Sequence, residues 1–458
     1  MKIPDLPPAP RMTISILAWM MGLMSMANLQ LPAQNAQLTV EQAIQKALQN
    51  RLELRAYDQR ALMAERALRA NQLRYVPQIS AGVDARYNAI LATSIVPVGR
   101  FNPLNPTDDV AAIRFGTKWA NGAGLTLNQV VYDPGIKGAR ELAELDGQLT
   151  AAQKAQRAER VAVEVAQVYY ALMITEAEVE HARSDSALAA TKLADTRLRL
   201  MEGRALPTDV EAAQADSTNA RLRMSDIRHN AADWRAQLAY QMGMTPDSGA
   251  GLRTSETLER LLEARQIPKG GPPAPGTAAN IQALKVQQSQ QLADNEKAGF
   301  KPSLMLNGFL GASHFSDAID LWEGGKWFPT SYIGLSLNLP LTEGFIRQQR
   351  ILRLNASRQA DQMDLDALHN QSSLEFERAK IALAGAEDAL AVQQQILALA
   401  ENRLAVSQTR ASEGRAIASE IALAQNQLQD ARFHYHRRAY DLLLADLEMR
   451  RVCGLLRF

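Results

Sequence analysis

The chain holds one cysteine in 458 residues, Cys453, so no disulfide can form within a copy and the fold must stand without covalent staples. Aromatic residues are only 5% of the chain, and the 47% hydrophobic content comes largely from alanine, a composition of long packed helices more than of one globular core. A net charge of +1 withholds the basic face that a nucleic-acid binder needs, so no nucleic-acid partner is expected. After the first residues, no stretch has the length and apolarity of a transmembrane helix. Ligand and catalytic constellations are missing too. His434 and His436 stand two apart on a helix and face different sides, Cys453 has no His and Asp setting, and Gly122-Ala123-Gly124 lies beside a strand without phosphate-loop context. The expectation is no enzyme, no cofactor and no metal.

What is present begins with an export signal. Arg11 precedes an apolar run from Met12 to Met24 that is too short to span a bilayer, and Ser25-Met26-Ala27 puts small residues where a signal peptidase reads. Residues 1–27 are therefore expected to be a signal peptide, with a second cut site after Ala36 and Met12 as a second candidate start. An exported chain without a membrane helix is soluble in the periplasm, secreted, or a β-barrel in the outer membrane.

One stretch occurs twice. Gly203-Arg204-Ala205-Leu206-Pro207-Thr208-Asp209-Val210 reappears in residue type as Gly414-Arg415-Ala416-Ile417-Ala418-Ser419-Glu420-Ile421. Each copy sits between long Ala-rich segments free of proline, so each reads as the turn of a long helical hairpin. The first repeat spans 28–266: a helix from a Thr39 N-cap to about Tyr75, a strand Gln78–Tyr87, a Pro-rich loop, a strand Gly124–Tyr132, helices from Ile136 to about Met201 and from Thr208 to about Met242, and a short helix near Ser255–Arg265. A Pro/Gly linker covers 267–276. The second repeat, 277–458, follows the same order: a helix from Thr277 to about Ala298, strands at Ser303–Leu310 and Tyr332–Leu339, and helices from Phe345 to about Arg410 and on to about Arg451. Gly124-Leu125-Thr126-Leu127-Asn128 and Gly334-Leu335-Ser336-Leu337-Asn338 match at nearly the offset of the turns.

Four strands cannot close a barrel, since the smallest usual barrel has about eight, so two exposed edges require oligomerisation. Aromatics gather at these strands, among them Tyr75, Tyr87, Phe101, Trp119, Tyr132, Phe300, Trp327 and Phe328, as at a membrane interface. The opening Leu38-Thr39-Val40-Glu41-Gln42-Ala43, the proline-led first and third strands, the second and fourth strands leading through Gly into long helices, and the paired Gly-x-x-x-x-[Ser/Thr]-[Asp/Glu] turns together resemble the outer-membrane efflux proteins, the TolC-like exit ducts. The resemblance implies a mixed, mainly α fold with a duplicated helix-strand-strand-helix repeat, in a homotrimer. Three copies of four strands would make a 12-stranded transmembrane β-barrel, above a long α-helical barrel that projects into the periplasm. It also implies a passive, non-enzymatic exit duct of a tripartite efflux or type I secretion system. Its partners would be outer-membrane lipid, a periplasmic adaptor (membrane fusion) protein and an inner-membrane pump of the RND, ABC or MFS class. The alternative is a periplasmic coiled-coil adaptor or scaffold without a barrel, which calls for one hairpin and β-rich lipoyl-like segments.

The turns carry two readings. Thr208 and Glu211 fit a capping box, and Asp209 and Glu420 complement the helix dipole. In a trimer, acidic positions there become rings that bind cations, so Asp209, Glu211 and Glu420 are the candidate periplasmic gate. Leu423 stands where the resemblance would place a second acid, leaving one or two acidic rings open. The resemblance further implies adaptor docking at Gly203, Arg204, Ala205, Thr208, Gly414, Arg415, Ala416 and Ser419.

Overall fold

The computed structural model describes residues 36–97, 108, 110–265, 276–322, 327–341, 343–413, 415 and 418–456. The export signal, most of the 267–276 linker, Phe101, Gly414, Ala416 and the side chain of Ser419 lie outside the described residues.

Alanine-rich composition without interior proline produces helices far longer than a compact domain uses. In chain order the elements are β1 (Ala36–Leu38), α1 (Val40–Asn50), α2 (Leu52–Leu73), β2 (Gln78–Tyr87), β3 (Thr93–Val96), β4 (Ala111–Arg114), β5 (Trp119–Tyr132), α3 (Pro134–Met201) and α4 (Pro207–Gln241). After these come β6 (Leu252–Thr254), α5 (Leu258–Glu263), α6 (Thr277–Ala298), β7 (Ser303–Ser316), β8 (Trp327–Asn338), α7 (Gly344–Ser412) and α8 (Ala418–Val452). The duplication is metrical: α2 and α6 each have 22 residues, α3 and α7 have 68 and 69, and α4 and α8 have 35 each. At 1.5 Å per residue α3 alone is about 100 Å long. Its solvent face is supported by pairs such as Arg140–Glu144 (3.0 Å) and Asp195–Arg199 (2.9 Å).

Four strands form one antiparallel sheet in the order β2-β5-β7-β8, leaving β2 and β8 as its edges. Two hairpins and a sheet replace the single hairpin that the scaffold alternative requires.

Three departures from the sequence reading have local causes. The first helix does not run unbroken from Thr39: Thr39 does cap it, with a reciprocal box to Gln42, but Arg51 turns extended (φ −61°, ψ 121°) and divides α1 from α2. The Pro-rich loop contains a small hairpin, β3 paired with β4. The segment after α4 contributes β6, which pairs in parallel with β1 and ties the start of the described chain to the middle of the molecule.

The main core lies where α1, α3, α4 and α8 meet. Ala43, Ile44, Ala47, Val161, Val165, Tyr169, Leu172, Leu238, Met242 and Leu447 are buried there, and the Tyr169 hydroxyl donates to the Leu38 carbonyl at 2.8 Å. A second cluster, around Met173, Ile174, Leu383, Leu390, Leu442 and Leu443, joins α3 to α7 and α8. Arg51 explains the helix break: its nearly buried guanidinium reaches Glu164 (2.7 Å), Gln241 (2.7 Å) and Glu53 (3.1 Å), and so stitches α1, α2, α3 and α4 together. Arg157 adds Glu53 (2.8 Å) and Glu164 (3.0 Å). Burial by itself would raise the Glu164 carboxyl, but hydrogen bonds from Arg51 and Arg157 outweigh it and hold it below the ordinary 4.5.

Arg51→Met removes one partner from this network and leaves carboxylates short of donors. The expected loss is about 2 kcal/mol of stability, read from denaturant unfolding of the purified protein. A depressed carboxyl value means that the wild-type network is fully stabilising above pH 4.5 and weakens as pH falls through the lower folded value, so the gap between wild type and variant should narrow in acid.

Candidate functional site

Two regions concentrate features that the core does not need: the sheet and the far ends of the helical hairpins. In the sheet, register assigns residues to faces, since directly opposed residues point the same way. Ile79 faces Leu127, which faces Gly308, which faces Ile333, and the rows beside it bring Val83, Leu125, Leu310 and Leu335 to the same side. These side chains lie open, Val83 at 84% and Ile333 at 74% exposure, so this face is apolar and uncovered within one copy. The opposite face carries Gln78, Ser80, Asp84, Arg86, Thr126, Asn128, Asn307, Ser313, Thr330 and Ser336, with Asn307 Nδ2 donating to Ser336 Oγ at 2.6 Å. Small residues on it make room for Phe309, which stacks on Tyr332 at 6.0 Å. A Cβ on Gly311 would come within 2.5 Å of the Ala123 carbonyl oxygen and 2.7 Å of the Phe309 ring, so only glycine fits there.

Aromatics stand at both ends of the strands. Tyr75, Tyr132 and Phe300 sit exposed at the helix end, and Tyr87 with Trp119 (4.9 Å between centroids) and Phe315 with Phe328 (6.2 Å) sit at the far end. The sequence reading missed a polar cluster at that far end. His314, fully buried, accepts at Nδ1 from Asn121 Nδ2 (3.3 Å), keeps Nε2 3.4 Å from Asp320 Oδ1, and packs on Trp327 (5.2 Å). The turn above is pinned where the Lys118 amide donates to Asp317 Oδ1 (3.0 Å) and Trp327 Nε1 donates to the Leu321 carbonyl (3.0 Å). A histidine at an alternating position of an apolar strand was the available signal.

At the other extreme, the two hairpin turns are built alike. Helix α3 ends with Gly203 at φ +71°, where the Gly203 amide donates to the Leu200 carbonyl (3.0 Å) and the Arg204 amide to that of Arg199 (2.8 Å), the bonds of a glycine C-cap. In the second hairpin the Arg415 amide donates to the Arg410 carbonyl, also at 2.8 Å. Each arginine then pairs with the glutamate two residues before it, Arg204 with Glu202 and Arg415 with Glu413, both at 3.2 Å and both exposed.

The expected Thr208 cap is corrected. Leu206 occupies the N-cap position of α4 and Pro207 the first turn, so Thr208 is already inside the helix. A leucine side chain accepts nothing, and the box is half-formed: Asp209 Oδ2 accepts from the Leu206 amide at 2.8 Å, the work assigned to Glu211. Glu211, just past the first turn of α4, and Glu420, in the first turn of α8, are exposed. Gly203, Arg204, Thr208 and Arg415 are also exposed, and Ala205 half-exposed. Among the described residues no helix is long and apolar enough to cross a membrane, and no cluster of three His, Cys, Asp or Glu could hold a metal.

Gly203→Ala tests the turn. No neighbour lies within 4 Å of the added Cβ, so the cost is left-handed backbone strain alone, about 1 kcal/mol, read as a lower thermal midpoint by circular dichroism with the native spectrum retained.

The sequence matches no family model and no curated protein. Solved structures do match. The outer membrane protein VceC from Vibrio cholerae superposes with a TM-score of 0.69 at 16% identity, over 91% of this chain and 96% of its own. CusC, described for its folding and transmembrane channel formation, gives 0.70 at 15% over 91% and 92%. The open state of the MtrE outer membrane channel from Neisseria gonorrhoeae gives 0.65 at 13% over 92% of both chains. The fold, sheet and hairpins together, is shared with these outer membrane and transmembrane channel proteins.

Proposed function

We propose that this chain is one of three identical subunits of an outer-membrane exit duct, passive and without catalytic chemistry, through which an inner-membrane pump discharges its cargo. The observation that carries this reading is the sheet: four strands of 10 to 14 residues, apolar on one face, polar on the other, with two unpaired edges. Strands of about 9–11 residues cross a bilayer. Open edges have no place in hydrocarbon, so β2 of one copy must pair with β8 of the next until the ring closes. The apolar face then meets lipid and the polar face lines a water-filled path.

The helices support the same assembly. The accessible surface of 31576 Å² is far above the roughly 17,000 Å² of a compact monomer of this mass. Part of the excess is an apolar stripe along α7. Phe345, Leu352, Met363, Leu374, Ile381, Val392, Leu399 and Val406 are all exposed and recur in steps of seven or eleven residues, opposite the face that packs within the copy. Such a stripe calls for a neighbouring helix along its whole length. The structural neighbours include an outer membrane protein, VceC, and outer membrane channels, MtrE among them, which agrees with this placement.

The hairpin tips are the proposed gate and docking end. Three copies would gather Asp209, Glu211 and Glu420 into rings of like charge around the axis. Of these, Asp209 also holds its own helix start, so Glu211 and Glu420 are free for ions. Gly203, Arg204, Ala205, Thr208, Gly414, Arg415, Ala416 and Ser419 would meet a periplasmic adaptor, whose pump is of the RND, ABC or MFS class, in a tripartite efflux or type I secretion system.

Outer-membrane fractions should contain a trimer that resists detergent until heated; a protein found only in the soluble periplasm overturns the duct. For the gate, Glu420→Gln should weaken block by divalent cations in single-channel recordings, and unchanged block removes Glu420 from the pore lining.

A further inference from the structure

The two hairpins meet where α3 and α8 run antiparallel, and the layers of that contact can be followed towards the tips. Ala439, Leu442 and Leu443 pack with Met173 and Ile174 in the second core cluster. Next comes a layer of Glu178 and His181 on α3 and His436 on α8. One heptad further, Gln429 donates to Asp185 (3.1 Å) and accepts from Arg223 of α4. Tipward of Gln429 no hydrogen bond or ion pair joins the hairpins among the described residues.

The middle layer is unusual chemically. His436 is buried at 7% exposure, with Nδ1 3.7 Å from Glu178 Oε1 and lacking a hydrogen bond. Its ring lies 5.7 Å from that of His181, which keeps an exposed edge through which a proton can arrive, and 5.9 Å from Tyr435. The charged groups facing the pair are Glu178 and Asp185 from α3, Arg432 from α8, and Glu401 of α7, which reaches Arg432 at 4.0 Å. Asp185 is held by Gln429, so Glu178 is the carboxylate left to match an incoming charge.

We propose that the Glu178–His181–His436 layer is an acid-sensitive latch that holds the second hairpin against the first while both imidazoles are neutral and releases it when both are charged. A single proton on the pair is matched by Glu178, whose Oε1 lies 3.7 Å from the nearer ring. A second places two cations at ring-contact distance next to Arg432, and the contact parts from that layer to the tips. Burial, then Arg432 and His436, hold the His181 imidazole below its ordinary 6.5, against the pull of Asp185 and Glu178. A depressed histidine value stabilises the closed contact fully above pH 6.5, and that stability is lost as pH falls through the folded value. The consequence for gating rests on the duct reading, in which the tips close the channel; the latch itself does not.

The test uses the full-length protein with Cys453→Ser and spin labels at Leu188→Cys and Asn426→Cys, one on each hairpin tipward of the layer. Electron–electron distances at about pH 7.5 and about pH 5 should shift to longer values in acid, with a midpoint below 6.5, and His181→Gln or His436→Gln should abolish the shift. An unmoved distance in the labelled protein, or a full shift in the double glutamine variant, overturns the latch. Bilayer conductance of the same preparation judges the duct separately: a conducting trimer with an unmoved distance sinks only the latch, and a shifting distance without conductance at any pH sinks only the duct.

Discussion

An antiparallel sheet of four strands ends on two rows of unpaired peptide groups, and that incompleteness governs the molecule. No helix or loop among the described residues covers β2 or β8, and the apolar face between them is open along Ile79, Val83, Leu310 and Ile333. A sheet of this kind is stable only when its edges are satisfied by further strands, and in the proposed ring the same chain supplies them. The helices repeat the pattern on a larger scale. Their inner faces are packed within the copy around Tyr169 and Leu443, while the α7 stripe is left uncovered.

The duplication explains how one chain supplies so regular a set of parts. The Arg204 and Arg415 amides make the same turn bond at the same length, and Glu202–Arg204 and Glu413–Arg415 repeat the same pair. The halves diverge where each has separate work. Among the described residues only the first carries α1 and the Arg51 break, through which Glu164, Glu53 and Gln241 fasten the hairpin base to the core. The second hairpin is fastened by another arginine, Arg451 of α8, which reaches Glu159 of α3 (3.7 Å) and Glu375 of α7 (3.1 Å), and it meets the first nearer the tips through His436 and Gln429.

Much of this was legible in the sequence because two periods, near 3.6 and exactly 2, are both long and uninterrupted here. β2 and α6 fall at the expected residues, and α3 and α7 within two of their expected starts and ends. What was not legible depends on tertiary partners. The break at Arg51 has no Gly or Pro to announce it, since the carboxylates that hold it lie on other helices. The β1–β6 pairing joins three-residue strands more than 200 positions apart. At the first turn Thr208 looked like a cap because its residue type suits one, but Pro207 fits the first turn of the helix and moves the boundary to Leu206. The candidate gate residues were found by their place after the turns, and the structure separates Asp209, bound to its own backbone, from Glu211 and Glu420.

The spacing of the α7 stripe sets the shape of whatever wall these helices make. A repeat of seven alone would force a left-handed supercoil, and a repeat of eleven alone a right-handed one. Phe345 to Val406 mixes both steps, and the mixture averages about 3.6 residues per turn, the natural repeat of a straight helix. A partner lying along such a seam need not wind around it. The helices can therefore stand side by side like the staves of a cask, and a stave can tilt about its base without unwinding from its neighbours.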